Sequence, residues 1–202
     1  MSSNKFDLGA GVLCLDFANT ANLHASDHPE DVLSDFSDLI EWGTVAEILS
    51  STQAEQLRQT AASQPESAAA AFENAIQTRE AIFRIFSEFS TEGNVNPDDM
   101  VVLNKALSRS LPHLRLTESA PGFAWDWAEM PDNLDRVLWA VVRSAGDLLT
   151  SDELDRVRQC ANDRSCDYLF VDRSRNRSRR WCSMESCGNR AKARRHYQRQ
   201  TS

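Results

Sequence analysis

The chain has no long apolar run. In its 202 residues the longest is Val137 to Val142, six residues, whereas a helix crossing a bilayer needs about 20, so no membrane span is expected. Nor does the start, Met1-Ser2-Ser3-Asn4-Lys5-Phe6-Asp7, join a basic segment to an apolar one as a secretory signal does, which places the protein in the cytoplasm. Glycine and proline are scarce, at 7 and 6 residues, and with 41% apolar and 26% charged residues this excludes collagen-like and wholly disordered chains. Residues 1–150 lack a nucleophile–base pair, a phosphate loop and a metal-protease motif. His24, His28 and His113 are scattered there and read as loop or surface residues. An enzyme is not expected.

What is present is uneven. The net charge of −8 conceals 13 Lys+Arg against 7 Asp+Glu in residues 151–202, which leaves 9 and 23 in residues 1–150. Between 173 and 199 ten basic residues face the single acid Glu185. A compact basic end on an acidic body is the charge pattern of a module that binds a polyanion. Cysteine is clustered too: four of the five fall between Cys160 and Cys187, and without an export signal that favours a metal site over disulfides.

Periodicity suggests a mainly helical α+β architecture. Gly11 to Thr20 reads as a short buried strand or the first turns of a buried helix, with Asp16 the one charge inside it. Leu33, Phe36, Leu39, Ile40 and Trp42 recur at helical steps, with Ser37 a candidate cap. Ser67 to Phe89 reads as the longest helix, Asn96-Pro97 opens another, and Leu134 to Leu149 a third. Leu114–Thr117 and Phe123–Trp127 alternate around Ser119-Ala120-Pro121-Gly122, predicting a β-hairpin. The domain boundary is read near 150, giving 1–150 and 151–202 with no long linker between them. Cys14, unpaired in apolar surroundings, reads as an inert core thiol.

The cysteines are spaced Cys160-x5-Cys166, fifteen residues, then Cys182-x4-Cys187. Two close pairs separated by a hairpin-sized insert can supply the four tetrahedral ligands of a structural zinc, one ion per chain. Tyr168–Val171 is a strand candidate, Asp172–Asn176 a turn, and Arg179-Arg180-Trp181 the return strand; Arg190–Tyr197 is a helix. Knuckle, hairpin and ligand-bearing helix start follow one another in treble-clef order. As a strand, Arg173, Arg175, Arg177 and Arg179 would project to one side, and Arg190, Lys192, Arg194 and Arg195 would line part of the helix. His196 lies too far past Cys187 to replace a cysteine ligand easily. The finger's core is too small to fold without metal, so losing a ligand is expected to disorder residues after 158 and leave the helical domain folded.

The stretch Trp181 to Lys192 resembles the CGNR zinc finger, with Cys187-Gly188-Asn189-Arg190 as its eponymous tetrapeptide and Phe170 to Arg180 as the approach to it. The segment Cys14-Leu15-Asp16-Phe17-Ala18-Asn19-Thr20, with Asp38-Leu39 and Trp42 downstream, resembles the ABATE domain of bacterial regulators associated with stress-induced transcription. The resemblance implies Cys160, Cys166, Cys182 and Cys187 as zinc ligands and duplex DNA as the finger's partner; its first cysteine pair is one residue wider than is usual. On this reading Arg175, Arg177, Arg179, Arg190, Lys192, Arg194 and Arg195 contact DNA. Asp16, Asn19, Thr20 and Trp42 would line an effector pocket, and a homodimer is a further expectation. The alternative is a zinc module that grips RNA or a protein.

Overall fold

The computed structural model describes residues 5–24, 26, 28–162 and 165–200. In chain order the elements are α1 (Leu13–Ala18), β1 (Ala21–Asn22), β2 (Glu30–Asp31), α2 (Phe36–Val45), α3 (Ser51–Ser63), α4 (Pro65–Ser90), α5 (Pro97–Ser110), β3 (Leu114–Ser119), β4 (Gly122–Trp127), α6 (Arg136–Leu149), β5 (Val157–Gln159), β6 (Leu169–Val171) and α7 (Asn189–Gln200). Three antiparallel pairs make up the sheets, β1–β2, β3–β4 and β5–β6.

Local chemistry sets most helix starts. Asp35, not Ser37, caps α2, its carboxylate accepting from Ser37 and Asp38 N–H. Ser50 and Gln53 form a reciprocal capping box on α3, a signal present in the sequence that the apolar periodicity passes over. Pro65 and Pro97 occupy first turns, where no helical N–H is lost, and Asn96 caps Asp98. The apolar stretch before Thr20 is the helix α1, with Cys14, Leu15, Phe17 and Ala18 fully buried.

The body packs around α4, which touches α1, α2, α3 and α5, while α6 closes the far side against α1 and α5. Trp42 and Phe17 meet at 4.8 Å in its centre. Helix α4 also packs on β5 and β6, and Val157, Leu169 and Val171 belong to the same apolar core as the helices. Strands that follow the expected boundary at 150 thus complete the interior of the residues that precede it. A second, small cluster consists of Cys160, Cys166 and Cys187, with Tyr168, Trp181 and Cys182 around it.

The finger hairpin differs from the one expected. Residues Leu169–Val171 pair with Val157–Gln159, which precede the first cysteine, and Arg179–Trp181 forms no strand. Apolar burial explains the exchange: Val157 brings a side chain that the core covers completely, whereas Arg179 and Arg180 would bring charge there.

Candidate metal centre and nucleic-acid interface

The backbone brings the four cysteines together from two directions. Strands β5 and β6 set Cys160 and Cys166 at the two ends of one knuckle, where Cys160 N–H donates to Tyr168 O and Cys166 N–H to Asn162 O. A turn at Met184–Gly188, opened by Ser183 accepting from Ser186 N–H, delivers Cys187 at the start of α7. All four Sγ atoms lie within 4.8 Å of one another, with Cys166 to Cys182 at 3.5 Å and Cys182 to Cys187 at 3.6 Å. Tetrahedral coordination with metal–sulfur bonds of about 2.3 Å places sulfurs about 3.8 Å apart, so shifts of no more than about 1 Å bring the donor set onto a metal ion.

Charge argues the same way. Hydrogen bonds from Cys166 and then Cys182 hold the Cys160 thiol well below the usual range, while the same crowding pushes Cys166 and Cys182 up. Alone, the cluster accommodates one thiolate readily and resists four; a cation among them removes the repulsion.

The tetrapeptide after Trp181-Cys182 has a structural account, residue by residue. Gly188 donates its N–H to Ser183 O, and a Cβ there would stand 2.9 Å from Met184 Sδ. The Asn189 amide donates to Glu185 O, tying α7 to the turn before it. The Arg190 guanidinium donates to Cys187 Sγ at 3.1 Å, which offsets part of the negative charge that four thiolates would leave on a divalent ion.

The expected arginine strand is instead a closed loop. The buried Asp172 carboxylate accepts from Ser174 N–H at 2.8 Å and Arg179 N–H at 2.9 Å, and Ser174 Oγ accepts from Ser178 N–H. Arg177 adopts φ +49° at its tip. Arg175 and Arg177 are exposed, Arg177 beside a cavity it shares with Phe89, Glu92, Asp155 and Arg158, and among the described residues neither side chain has a hydrogen-bond or ion-pair partner. Lys192 on α7 is likewise exposed. Other cations are occupied: Arg179 donates to Trp181 O and Cys182 O and lies 4.4 Å over the Phe170 ring. Arg173 pairs with Glu153 through two 3.0 Å bonds, and Arg194 reaches Asn162 Oδ1. The side chains of Arg195 and His196 lie outside the described residues.

The four residues expected to line an effector pocket do not meet in one. The Asn19 amide is buried and exchanges two 2.8 Å hydrogen bonds with the backbone of Leu169, imitating one rung of a β-ladder. Thr20 donates to Phe17 O, and Trp42 is fully buried. Asp16 alone opens on a cavity, a shallow one of about 320 Å³ lined by Leu8, Gly11, Val12, Leu13 and Ala46. Its carboxylate accepts from Ala10 N–H, and burial pushes its pKa up to about 6. Ala10 O in turn accepts from Val171 N–H.

Beside Asn19 a second junction appears that the sequence reading did not anticipate. The Asp167 carboxylate, one residue past ligand Cys166, accepts from the backbone N–H groups of Leu23 at 2.8 Å and His24 at 2.7 Å. Asn22 Oδ1 accepts from Asp167 N–H. His24 is not a surface residue: its ring stacks on Phe83 at 3.6 Å and meets Glu80 at 2.8 Å. Arg79, 2% exposed, then bridges Glu80, Asp31 and Thr20. Of the remaining histidines, His113 stacks on Trp139 and His28 is exposed. Burial drives the Cys14 thiol up to about 12, in keeping with an inert core residue.

A helical body that buries the hairpin of a four-cysteine module suited to a metal ion defines a two-part protein of the zinc-finger class. The family model of ABATE, described as "Putative stress-induced transcription regulator", matches residues 11–152, and that of the CGNR zinc finger matches residues 156–200. The chain belongs to the ABATE family and carries a CGNR zinc finger. No curated protein matches it. Among the described residues, no helix is long and apolar enough to cross a membrane.

Proposed function

We propose that this protein is a DNA-binding transcription regulator rather than an enzyme, with one zinc ion holding the finger and duplex DNA as the ligand of its basic loop. The observation that carries the reading is the Asp172-closed loop presenting Arg175 and Arg177, with Lys192 nearby in sequence on α7. Unpaired guanidinium groups on a loop whose backbone is held by Asp172 and Ser174 suit a phosphate backbone. Arg179 and Arg194, half-buried, and Arg190, exposed but bonded to Cys187 Sγ, are engaged by the finger itself and on this reading support it instead of reading bases. The family's description carries the further reading of a response to stress, and a regulator that meets bacterial DNA would act in the cytoplasm.

The body is read as the receiver of a small-molecule effector. Asp16 opens on the shallow cavity and holds Ala10, whose carbonyl holds Val171 of the finger, so a ligand that displaces the Asp16 carboxylate alters a bond shared by the two parts.

Fluorescence anisotropy of a labelled duplex, titrated with salt, tests the DNA reading. Arg175→Ala, Arg177→Ala and Lys192→Ala should each lower the salt slope by about 1 and weaken random and selected duplexes alike. If the three variants bind like wild type with zinc retained, DNA is not the ligand of this surface. Stronger competition by structured RNA than by duplex DNA would assign the module to RNA.

A further inference from the structure

The β3–β4 hairpin projects from the body with an uncovered apolar face. Register places Leu116 opposite Trp125 and Leu114 opposite Trp127, so these four side chains and Phe123 share one face. At the base Trp127 tilts against Trp139 at 5.7 Å, but toward the tip the cover ends: Trp125 is 55% exposed, Leu116 62% and Phe123 76%. Nine of the twelve strand residues are exposed. With 150–250 Å² on each aromatic, the three side chains present roughly 400 Å² of apolar surface, the scale at which an exposed patch marks an interaction site.

We infer that this face is a homodimer interface, in which two copies stack their hairpins face to face and antiparallel about a twofold axis. Area is the first argument. Doubling roughly 400 Å², at the apolar fraction of about 60% typical of interfaces, gives a contact of about 1,300 Å², inside the range of stable complexes. Pairing through strand edges would leave the aromatic face wet, so face-to-face packing is the arrangement that accounts for the exposure.

Charge is the second argument. Glu118 stands at the tip, opposite Phe123, while the Arg143 guanidinium lies 5.2 Å over the Trp125 ring, nearer the base, and touches Asp147 at 3.5 Å. An antiparallel stack carries the tip of each hairpin toward the base of the other, setting Glu118 of each copy near Arg143 of its mate. The patch is therefore self-complementary, as a twofold contact requires. The assembly does not depend on what the finger binds.

Sedimentation velocity of the full-length zinc-loaded protein between 1 and 100 µM tests it, with circular dichroism and zinc content as controls for folding. Wild type should be a dimer over this range. Phe123→Glu should raise the dimer dissociation constant by at least roughly thirtyfold, the scale of an aromatic anchor, with both controls unchanged. Glu118→Arg and Arg143→Glu should each weaken the dimer, and the double variant should recover most of the loss. A wild type that stays monomeric at 100 µM overturns the inference and leaves the face to a different protein. A dimer indifferent to Phe123→Glu overturns it too.

Discussion

The two parts of this protein are held together in different ways. The body rests on apolar side chains from α1 to α6, with Trp42, Phe17, Phe86 and Val137 at most barely accessible. The finger from Val157 onward has a small apolar cluster of its own built on three buried cysteines, and its β5–β6 strand pair faces into the body's core. The difference teaches that the finger is not a module tethered by charge and sequence alone. The four-cysteine cluster gathers one side of it, and Asn19, Asn22 and the backbone of Leu23 and His24 fix the other.

The largest effect should come from the metal. Cys182→Ser or chelation should abolish zinc binding, a contribution of about 10–16 kcal/mol in small zinc domains, and unfold α7 and the knuckle. If the core is shared, the body should also melt lower, by about 10 °C or more, because Val157, Leu169 and Val171 lose their anchor. An apoprotein whose body melts at the wild-type temperature breaks the comparison and returns the finger to the status of an independent domain.

Next in size is Arg79→Ala. It leaves Asp31 and Glu80 without their buried partner and should cost about 3–5 kcal/mol by urea denaturation, with zinc content unchanged in the folded fraction. Asn19→Ala should cost less, about 2–4 kcal/mol, since it strands the N–H and C=O of Leu169 away from water. Unlike Arg79→Ala it should also weaken zinc retention against a competing chelator, because it loosens the strand leading away from Cys166. Equal zinc affinity in the two variants would show that the junction carries no coupling.

The smallest effects are those of pH. Burial raises the Glu80 carboxyl, but the hydrogen bond from His24 and the charges of His24 and Arg79 outweigh it and hold the group at about 2. A depressed carboxyl stabilises the fold above its unfolded value near 4.5 and loses that contribution as pH falls toward 2. Asp16 behaves oppositely: raised from 3.8 to about 6, chiefly by burial, it favours the folded state most below pH 3.8 and loses that advantage as pH rises through 6. The stability profile of Glu80→Gln should flatten between about 2 and 4.5 and that of Asp16→Asn between 3.8 and about 6, two windows that overlap only at their edge. A flattened acid limb in Asp16→Asn instead would reverse the assignment.

Much of this was legible in residue order. Asn96-Pro97 and the 3.6-residue apolar steps predict α4, α5 and α6 to within a few residues, since caps and amphipathic faces act over one or two turns. Alternation around Pro121-Gly122 predicts the β3–β4 hairpin. Clustering of cysteines likewise announces the four-ligand site, because ligand chemistry needs particular side chains at short spacing. The junction was not legible. Asn19 and Leu169 are 150 positions apart, and an asparagine in an apolar stretch reads equally as a ligand-pocket residue or as a partner for a distant backbone.

Neighbours in the chain were enough to specify α4, α5, α6 and α7, the β3–β4 hairpin, the clustering of the cysteines and the uneven charge, but not α3 or the helical state of α1. Only the fold settled that β6 takes β5 rather than Arg179–Trp181 as its partner, and that Arg179, Arg190 and Arg194 bond back onto the finger while Arg175 and Arg177 have no side-chain partner among the described residues. The reason is competition among distant groups for a limited interior. Val157 fills the core where arginine would leave an unpaired charge, and buried backbone groups such as those of Leu169 must find a partner wherever the fold supplies one.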